Sequence, residues 1–281
     1  MIRVVVLFVA AVVVLACAGA GLFVWAAQSA KARNEAATMP VAQEAPEPAT
    51  FTMESATQFH VRRLKEFNYA PSEKMQRIVA SDSTLDGITP VKWHFVGPQT
   101  ARPVPLVVLF HGRDRTGLSM IEMWYETARN NGFAILAPTA PGGNWPYQDP
   151  SPQVLEKMIT QLDATHLIDR ERVYLFGHSA GAVYVQALLN KTQGPWSAGA
   201  THGGFLPVEF QIIPQQPKPY KAYVGQFETA FELADIRATG EEMAKRGVEN
   251  DLIVIPQHTH WFYDIGDQIA ADSWAWFKSL P

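Results

Sequence analysis

The sequence has a single cysteine among its 281 residues, and this scarcity excludes several kinds of site. An internal disulfide needs two cysteines, so one chain cannot form one. Cys17 also lies within the apolar N-terminal run, so the rest of the chain has no thiol for redox chemistry or for a zinc–thiolate site. Histidine could still bind a metal ion through its imidazole, but the only close pair is His258 and His260. We therefore expect no metal site.

A basic excess is also absent. The chain carries 23 Lys and Arg against 27 Asp and Glu, which gives a formal net charge of −4. Nucleic-acid-binding domains usually show a strong positive footprint, so we expect no nucleic acid partner. With 47% hydrophobic residues, the length fits one globular domain with appendages.

Charged residues are missing from positions 4–27, which is long enough for a helix to cross a bilayer. The run exceeds the roughly 7–15 apolar residues of a typical signal peptide, so residues 1–27 are predicted to be a signal anchor. Cleavage after the Ala-Gly-Ala step at 18–20 and lipidation at Cys17 remain alternatives. The domain is then membrane-anchored outside the cytoplasm, or secreted if the segment is cleaved. Arg3 favours this orientation, although Lys31 and Arg33 nearly balance the positive-inside count.

Large apolar residues are scarce in residues 28–51, which are rich in Ala, Pro and Glu. Such a segment buries too little surface to offset the entropy lost on ordering, so it is predicted to be a flexible linker. The folded domain is predicted to span residues 52–281.

Within that domain, apolar runs typical of strands alternate with helical patterns from residue 91 onward. This alternation predicts an α/β fold with a mostly parallel sheet and helices on both faces. Reactive groups in such sheets collect in loops at the carboxyl ends of the strands. The predicted strands are 91–97, 105–110, 133–138, 172–176, 221–225 and 251–256, and the predicted helices are 118–132, 154–167, 180–191, 233–247 and 265–280.

The pentapeptide GHSAG at 177–181 lies between a predicted strand and a predicted helix. Gly177 and Gly181 lack a Cβ, which a turn this sharp requires, and Ser179 at its apex would expose its hydroxyl as a nucleophile elbow does. An unreactive turn serine is the alternative interpretation, because G-x-S-x-G also occurs by chance.

The remaining groups for serine chemistry follow at later strand ends. A serine hydroxyl needs an imidazole to take its proton and a carboxylate to orient that imidazole. Glu228 follows one predicted strand, and His258 and His260 follow the next, in the order Ser, acid, His.

A place for the oxyanion is predicted after the strand 105–110. Gly112 allows close approach of the backbone, and the amide of Arg113 is the first expected donor. The amide of Ala180, at the start of the elbow helix, is the second. His111 beside them is predicted to shape this loop through hydrogen bonds.

These segments resemble the α/β-hydrolase family, and within it the compact esterases related to polyhydroxyalkanoate depolymerases and feruloyl esterases. The resemblance covers about residues 90–281 and depends on LFHGR (109–113), GHSAG, the G-x-x-acid step ending at Glu228, and IPQHTHWFYD (255–264). It implies His260 rather than His258 as the base. Relatives usually have Asp where this chain has Glu228, so Asp235 is kept as an alternative acid.

Loops at the predicted catalytic edge contain aromatic residues. Trp145 and Tyr147, in the loop at 141–150, are predicted to line the rim of the pocket and to bind substrate. The segment THGGFLP at 201–207 is a second candidate for the rim.

Together these features predict a serine hydrolase that cleaves a small-molecule or polymeric carboxylic ester through an acyl-enzyme, without a cofactor. A serine peptidase or an acyltransferase would share the same residues, because the triad does not determine the acceptor. A catalytically silent binding protein of the cell envelope is the alternative outside the enzymes.

Overall fold

A computed structural model describes residues 46–63, 68–79, 83–85 and 91–281 of the chain. The predicted membrane segment at 1–27, and the part of the predicted linker before residue 46, lie outside these residues. Within them, no helix combines the length and the apolar composition that crossing a bilayer requires.

The described part of the chain is organised around one sheet of nine strands, in the order β1-β9-β8-β7-β6-β4-β5-β3-β2. β2 and β3 are antiparallel to their neighbours, and the remaining pairs are parallel. The predicted fold class is therefore observed. The strands are β1 (Phe51–Ser55), β2 (Ser83–Leu85), β3 (Val91–Val96), β4 (Val104–Phe110), β5 (Ala134–Pro138), β6 (Ile168–His178), β7 (Trp196–His202), β8 (Tyr220–Phe227) and β9 (Asn250–Thr259).

Helices connect most of the parallel strands. The first of them was not predicted, and the bounds of the other five fall within a few residues of the prediction. They are α1 (Glu73–Ile78), α2 (Gly117–Asn131), α3 (Pro152–Asp163), α4 (Ala180–Lys191), α5 (Leu233–Lys245) and α6 (Gly266–Ser279). Three short 3₁₀ helices lie in the loops, at Pro141–Gly143, Val208–Phe210 and Phe262–Asp264.

Strand β4 shows how the sheet separates two layers of core. All seven of its residues are buried. Leu106, Val108 and Phe110 pack in the cluster on one face, and Val107 and Leu109 pack in the cluster on the other. Successive side chains of a strand point to opposite faces, so a continuous apolar run is what a strand covered on both faces requires.

The edge strand β1 was not predicted, and it begins inside the segment assigned to the linker. Phe51 is its first residue and pairs with Asn250 of β9. Just before it, the N–H of Ala49 donates to the carbonyl of Ala244 at 2.8 Å. The end of the predicted linker is therefore packed against the domain.

The parallel strands β4, β6, β7, β8 and β9 end at the same edge of the sheet. The loops that follow them contain the candidate site residues, as expected for an open α/β sheet.

Candidate active site

Ser179 occupies a strained turn between β6 and α4. Its φ of 52° and ψ of −117° lie in a region that non-glycine residues rarely adopt. A Cβ at Gly177 would lie 2.8 Å from the N of Ala182, and one at Gly181 would lie 2.8 Å from the carbonyl oxygen of His111. Both positions therefore need glycine, and the turn has the geometry expected of a nucleophile elbow.

Three predicted residues meet at this turn. The Oγ of Ser179 lies 2.9 Å from Nε2 of His260. Nδ1 of the same imidazole lies 2.8 Å from Oε1 and 3.0 Å from Oε2 of Glu228. A carboxylate can only accept, so the proton of a neutral His260 is on Nδ1 and the lone pair of Nε2 faces Ser179. This is the arrangement that a serine nucleophile and its base need.

The carboxylate of Glu228 is held by more than the imidazole. Its Oε1 accepts hydrogen bonds from the amides of Thr229 at 2.9 Å and Ala230 at 2.8 Å, and only 2% of the side chain is exposed. Burial by itself would raise the pKa of Glu228, but the hydrogen bonds from His260 and from the two amides outweigh it and lower that pKa. The carboxylate is therefore kept ionised beside the imidazole.

The alternative acid and base of the sequence analysis lie elsewhere. Asp235 is exposed in the first turn of α5. His258 is fully buried, and its Nε2 lies 2.9 Å from Nε2 of His202 rather than near Ser179. Of the acids and bases that the sequence left open, Glu228 and His260 are therefore the two that lie in a hydrogen-bonded path with Ser179.

His258 belongs to a line of three buried imidazoles behind the site. Nδ1 of His178 lies 3.1 Å from Nδ1 of His202, which in turn contacts His258. The ring of His178 also lies 5.1 Å from that of His260. Burial, reinforced by the neighbouring imidazoles, lowers the pKa of His178 and His202 well below 6.5. Burial likewise lowers the pKa of His258 to about 4.

These imidazoles are spaced as hydrogen-bonded rings, and no set of His, Cys, Asp or Glu in the described part of the chain is arranged to bind a metal ion. Nδ1 of His258 has no hydrogen-bond partner among the described residues. We call His178, His202 and His258 the histidine line.

The loop after β4 packs directly on the elbow. A Cβ at Gly112 would lie 3.4 Å from Cβ of Ser179 and 3.1 Å from Cδ2 of His178, so this position has little room for a side chain. Among the described residues, the N–H groups of Arg113 and Ala180 donate to no protein acceptor. Both predicted oxyanion donors are therefore unoccupied by intramolecular hydrogen bonds.

His111 fixes this loop from beneath, as predicted. Its Nε2 accepts from the amide of Ala140 at 2.9 Å, so its Nδ1 carries the proton and donates to the carbonyl of Gly112 at 2.6 Å. The carbonyl and the following N–H of a trans peptide point in opposite directions, so this hydrogen bond also fixes the direction of the Arg113 N–H. Burial lowers the pKa of His111 to about 4, which keeps it neutral.

Trp145 differs from the expectation of a rim residue. Its side chain is buried, it stacks on Tyr184 with ring centroids 5.1 Å apart, and its Nε1 donates to the carbonyl of His111 at 2.8 Å. It therefore supports the loop after β4, which contains the predicted oxyanion donor Arg113, from the core rather than lying at a rim. Tyr147 is half-buried and packs against the same core cluster.

Sequence reasoning missed the role of the glycines after β7. Gly203 has a φ of 59°, and a Cβ there would lie 3.0 Å from Nδ1 of His260 and 3.1 Å from Oε2 of Glu228. A Cβ at Gly204 would lie 2.7 Å from the carbonyl of Ser179. The doublet within THGGFLP was a signal, but only the fold shows that it lies against the imidazole–carboxylate pair.

Arg115 is a second unexpected contact of the site. Its guanidinium lies 5.1 Å from the ring centroid of Trp261, which follows His260, and it donates to the carbonyl of Tyr69 at 3.0 Å. Arg113, in contrast, is exposed. Arg115 thus connects the loop after β4 with the segment after His260 and with the N-terminal part of the domain.

Solved structures similar to this chain are hydrolases. An esterase from Thermogutta terrifontis with bound propionate shares 14% identity over 70% of this chain and 92% of its own, with a TM-score of 0.59. The feruloyl esterase module from Clostridium thermocellum, complexed with sinapinate, shares 14% identity over 79% and 94%, with a TM-score of 0.56. A 2,6-dihydroxy-pseudo-oxynicotine hydrolase shares 14% identity over 73% and 70%, with a TM-score of 0.58.

No protein-family model matches the sequence, and no curated protein is similar enough to it to count as a relative. The structural likeness, together with the strand order and the elbow, shows that the chain has the α/β-hydrolase fold.

Proposed function

We propose that this protein is a serine hydrolase that cleaves carboxylic esters through an acyl-enzyme on Ser179. The observation that carries the proposal is the continuous hydrogen-bonded path from Ser179 Oγ through His260 to the buried carboxylate of Glu228. Activity depends on specific groups in a site rather than on a fold, and these groups have the types and spacings that acyl transfer needs.

In the acylation half-reaction, Oγ of Ser179 attacks the ester carbonyl while Nε2 of His260 takes its proton. Glu228 keeps the imidazole in the required tautomer and stabilises the imidazolium. The N–H groups of Arg113 and Ala180 donate to the oxyanion of the tetrahedral intermediate. His260 then gives its proton to the departing alcohol. In deacylation the same imidazole takes a proton from water as the water oxygen attacks the acyl carbon. The bond from that carbon to Oγ of Ser179 then breaks, His260 returns its proton to Oγ, and the carboxylic acid leaves.

The esterases among the structural neighbours support an ester as the substrate, since one of them has propionate bound and another is a feruloyl esterase module. The apolar run at 4–27 supports a location at a membrane, with the hydrolase domain outside the cytoplasm or released if the run is cleaved.

The test is the hydrolysis of p-nitrophenyl acetate, butyrate and octanoate by the full-length chain beside its Ser179→Ala variant. We expect turnover by the unmutated chain alone, with a chain-length preference that describes the acyl pocket. Equal rates for the two folded proteins would overturn the proposal. Added alcohol or amine distinguishes the acceptors: ester or amide products would indicate an acyltransferase.

A further inference from the structure

Two phenylalanines lie on the His260 side of the candidate site. The ring of Phe231 lies 6.1 Å from the imidazole of His260, with the planes tilted by 40°. Phe205 packs edge-on against Phe231, with ring centroids 5.7 Å apart and an interplanar angle of 71°. Both side chains are half-buried, and both pack against the core cluster on their inner side. They therefore present apolar surface next to the imidazole without being enclosed.

Phe205 and Phe231 come from two different loops, the first after β7 and the second after β8. Apolar side chains that are grouped, rather than single, mark binding surfaces. We call Phe205 and Phe231 the aromatic wall.

The loop that carries Phe205 is fixed by buried amide side chains of α4. The N–H of Leu206 donates to Oε1 of Gln186, and Nε2 of Gln186 donates to the hydroxyl of Tyr220 at 2.6 Å. Nδ2 of Asn190 donates to Oε1 of Gln211 at 2.7 Å, and Gln211 in turn donates to the carbonyl of Leu206 at 2.5 Å. Buried polar groups that are all paired specify one arrangement. Phe205, the member of the aromatic wall in this loop, is therefore held in place before substrate arrives.

The chemistry of the proposed reaction decides which part of the ester meets this wall. His260 must reach the ester's alkoxy oxygen with Nε2 in order to protonate the leaving alcohol. The carbonyl oxygen points instead to the N–H groups of Arg113 and Ala180 on the oxyanion side. The alcohol part therefore leaves past His260, where Phe231 lies.

From this geometry we infer that the aromatic wall binds the alcohol part of the ester, and that the enzyme prefers esters of aromatic alcohols to methyl esters of the same acid. The inference depends on the proposed function and assigns a specificity to its site. When two rings meet edge to face or offset, their contact contributes free energy of binding beyond that of burying their surface. The exposed faces of Phe205 and Phe231 allow a ring of the substrate to make such contacts.

The experiment compares benzyl butyrate with methyl butyrate as substrates of the full-length chain. The two esters give the same acyl-enzyme, and their alcohols have nearly equal acidity, so a difference in kcat/KM reports binding of the alcohol part. We expect Phe231→Ala and Phe205→Ala each to lower the ratio of kcat/KM for benzyl butyrate to that for methyl butyrate by about tenfold. Phe231→Leu, which keeps apolar bulk but loses the ring, should fall between.

The matched control is Phe210→Ala. Phe210 is 57% exposed and lies in the same loop as Phe205, but it has no ring contact with the wall. It should leave the ratio of the two kcat/KM values as it is in the unmutated chain. Competitive inhibition of methyl butyrate hydrolysis by benzyl alcohol tests the same surface without any substitution.

Two results would overturn the inference. One is a benzyl-to-methyl ratio of kcat/KM that the alanine variants leave unchanged, including a parallel loss for both esters. The other is the absence of inhibition of the unmutated chain by benzyl alcohol. Failure of the proposed function is distinct from these, because it appears as the absence of Ser179-dependent hydrolysis of either ester.

Discussion

Histidines occur in two contrasting environments at the catalytic edge of the sheet. His260 is partly exposed, and it has a hydroxyl on one nitrogen and a carboxylate on the other. The histidine line lies beside it and is buried. Its imidazoles are hydrogen-bonded mainly to one another, and among the described residues no carboxylate is hydrogen-bonded to any of the three rings. The comparison shows that imidazoles close together in the fold differ in both their partners and their exposure, and the proposed role of His260 as a base depends on that difference.

The largest expected effect is the loss of the partly exposed imidazole. His260→Ala should lower kcat for ester hydrolysis by a factor on the order of 10⁶, as loss of the serine or the histidine does in a comparable triad. His258→Gln should retain most of the activity, because His258 does not touch Ser179. Steady-state kinetics give kcat for both variants. Equal losses of kcat would show that the two environments do not differ in their importance for the reaction.

The next effect concerns the carboxylate that distinguishes His260 from the histidine line. Glu228→Gln should lower kcat by about 10⁴, because an amide can hold the wrong tautomer of the imidazole. Asp235→Asn is the matched control: its side chain is exposed in α5, so the same charge change should leave kcat unaltered. A loss with Asp235→Asn instead would mean that the acid has been assigned to the wrong residue.

Gly203→Ala tests how narrowly the imidazole–carboxylate pair is held. The added methyl group would lie about 3 Å from both partners, and misplacement of a reacting group by about 1 Å can cost about 100-fold. We expect a drop in kcat of that order with little change in KM. Gly132 has a similar φ of 70°, but a Cβ added there would lie within 4 Å of no atom of the described residues. Gly132→Ala therefore controls for backbone strain. If both variants lose the same activity, close packing at Gly203 is not the cause.

Acid should lower the free energy of unfolding of the protein, because its enclosed imidazoles resist protonation. The pKa of His111 and of His258 is lowered from 6.5 to about 4, and the pKa of His178 and His202 is lowered well below 6.5. The unfolded chain therefore binds protons below pH 6.5 that the folded chain does not, so stability falls as pH drops from about 6.5 toward 4. Each such histidine contributes a slope of about 1.4 kcal/mol per pH unit.

The lowered pKa of Glu228 acts in the same direction at still lower pH, because its stabilising contribution is present above 4.5 and is lost as pH falls. Denaturant unfolding at a series of pH values measures both effects. His258→Gln should make the dependence shallower, and a free energy of unfolding that is flat between pH 7 and pH 4 would show that the histidine line is not held neutral.

Much of the site follows from local sequence. The elbow can be recognised from residues 177–181, since its glycines and serine are neighbours in the chain. The contact that requires Gly181, however, is with the carbonyl oxygen of His111, just after the end of another strand. Glu228 and His260 were found because each follows a recognisable strand, and parallel strands bring their carboxyl ends together. The departure from the usual Asp did not prevent Glu228 from reaching His260.

Other features depend on distant contacts that a single sequence does not display. The rings of His178, His202 and His258 meet only because β6, β7, β8 and β9 are neighbours in that order. Trp145 was predicted at the rim because the path of its loop cannot be read from the sequence. In the structure its indole packs inward on Phe110. Strand β1 has only one intermediate and four exposed residues, so it lacks the apolar run by which six of the other strands were predicted.

The most direct test of the account is covalent labelling of the full-length chain with a fluorophosphonate, followed by mass spectrometry of its peptides. The account predicts one adduct, on Ser179, and its loss in His260→Ala, which lacks the base that activates the hydroxyl. A folded chain that stays unlabelled, or an adduct on another residue, would contradict Ser179 as the nucleophile.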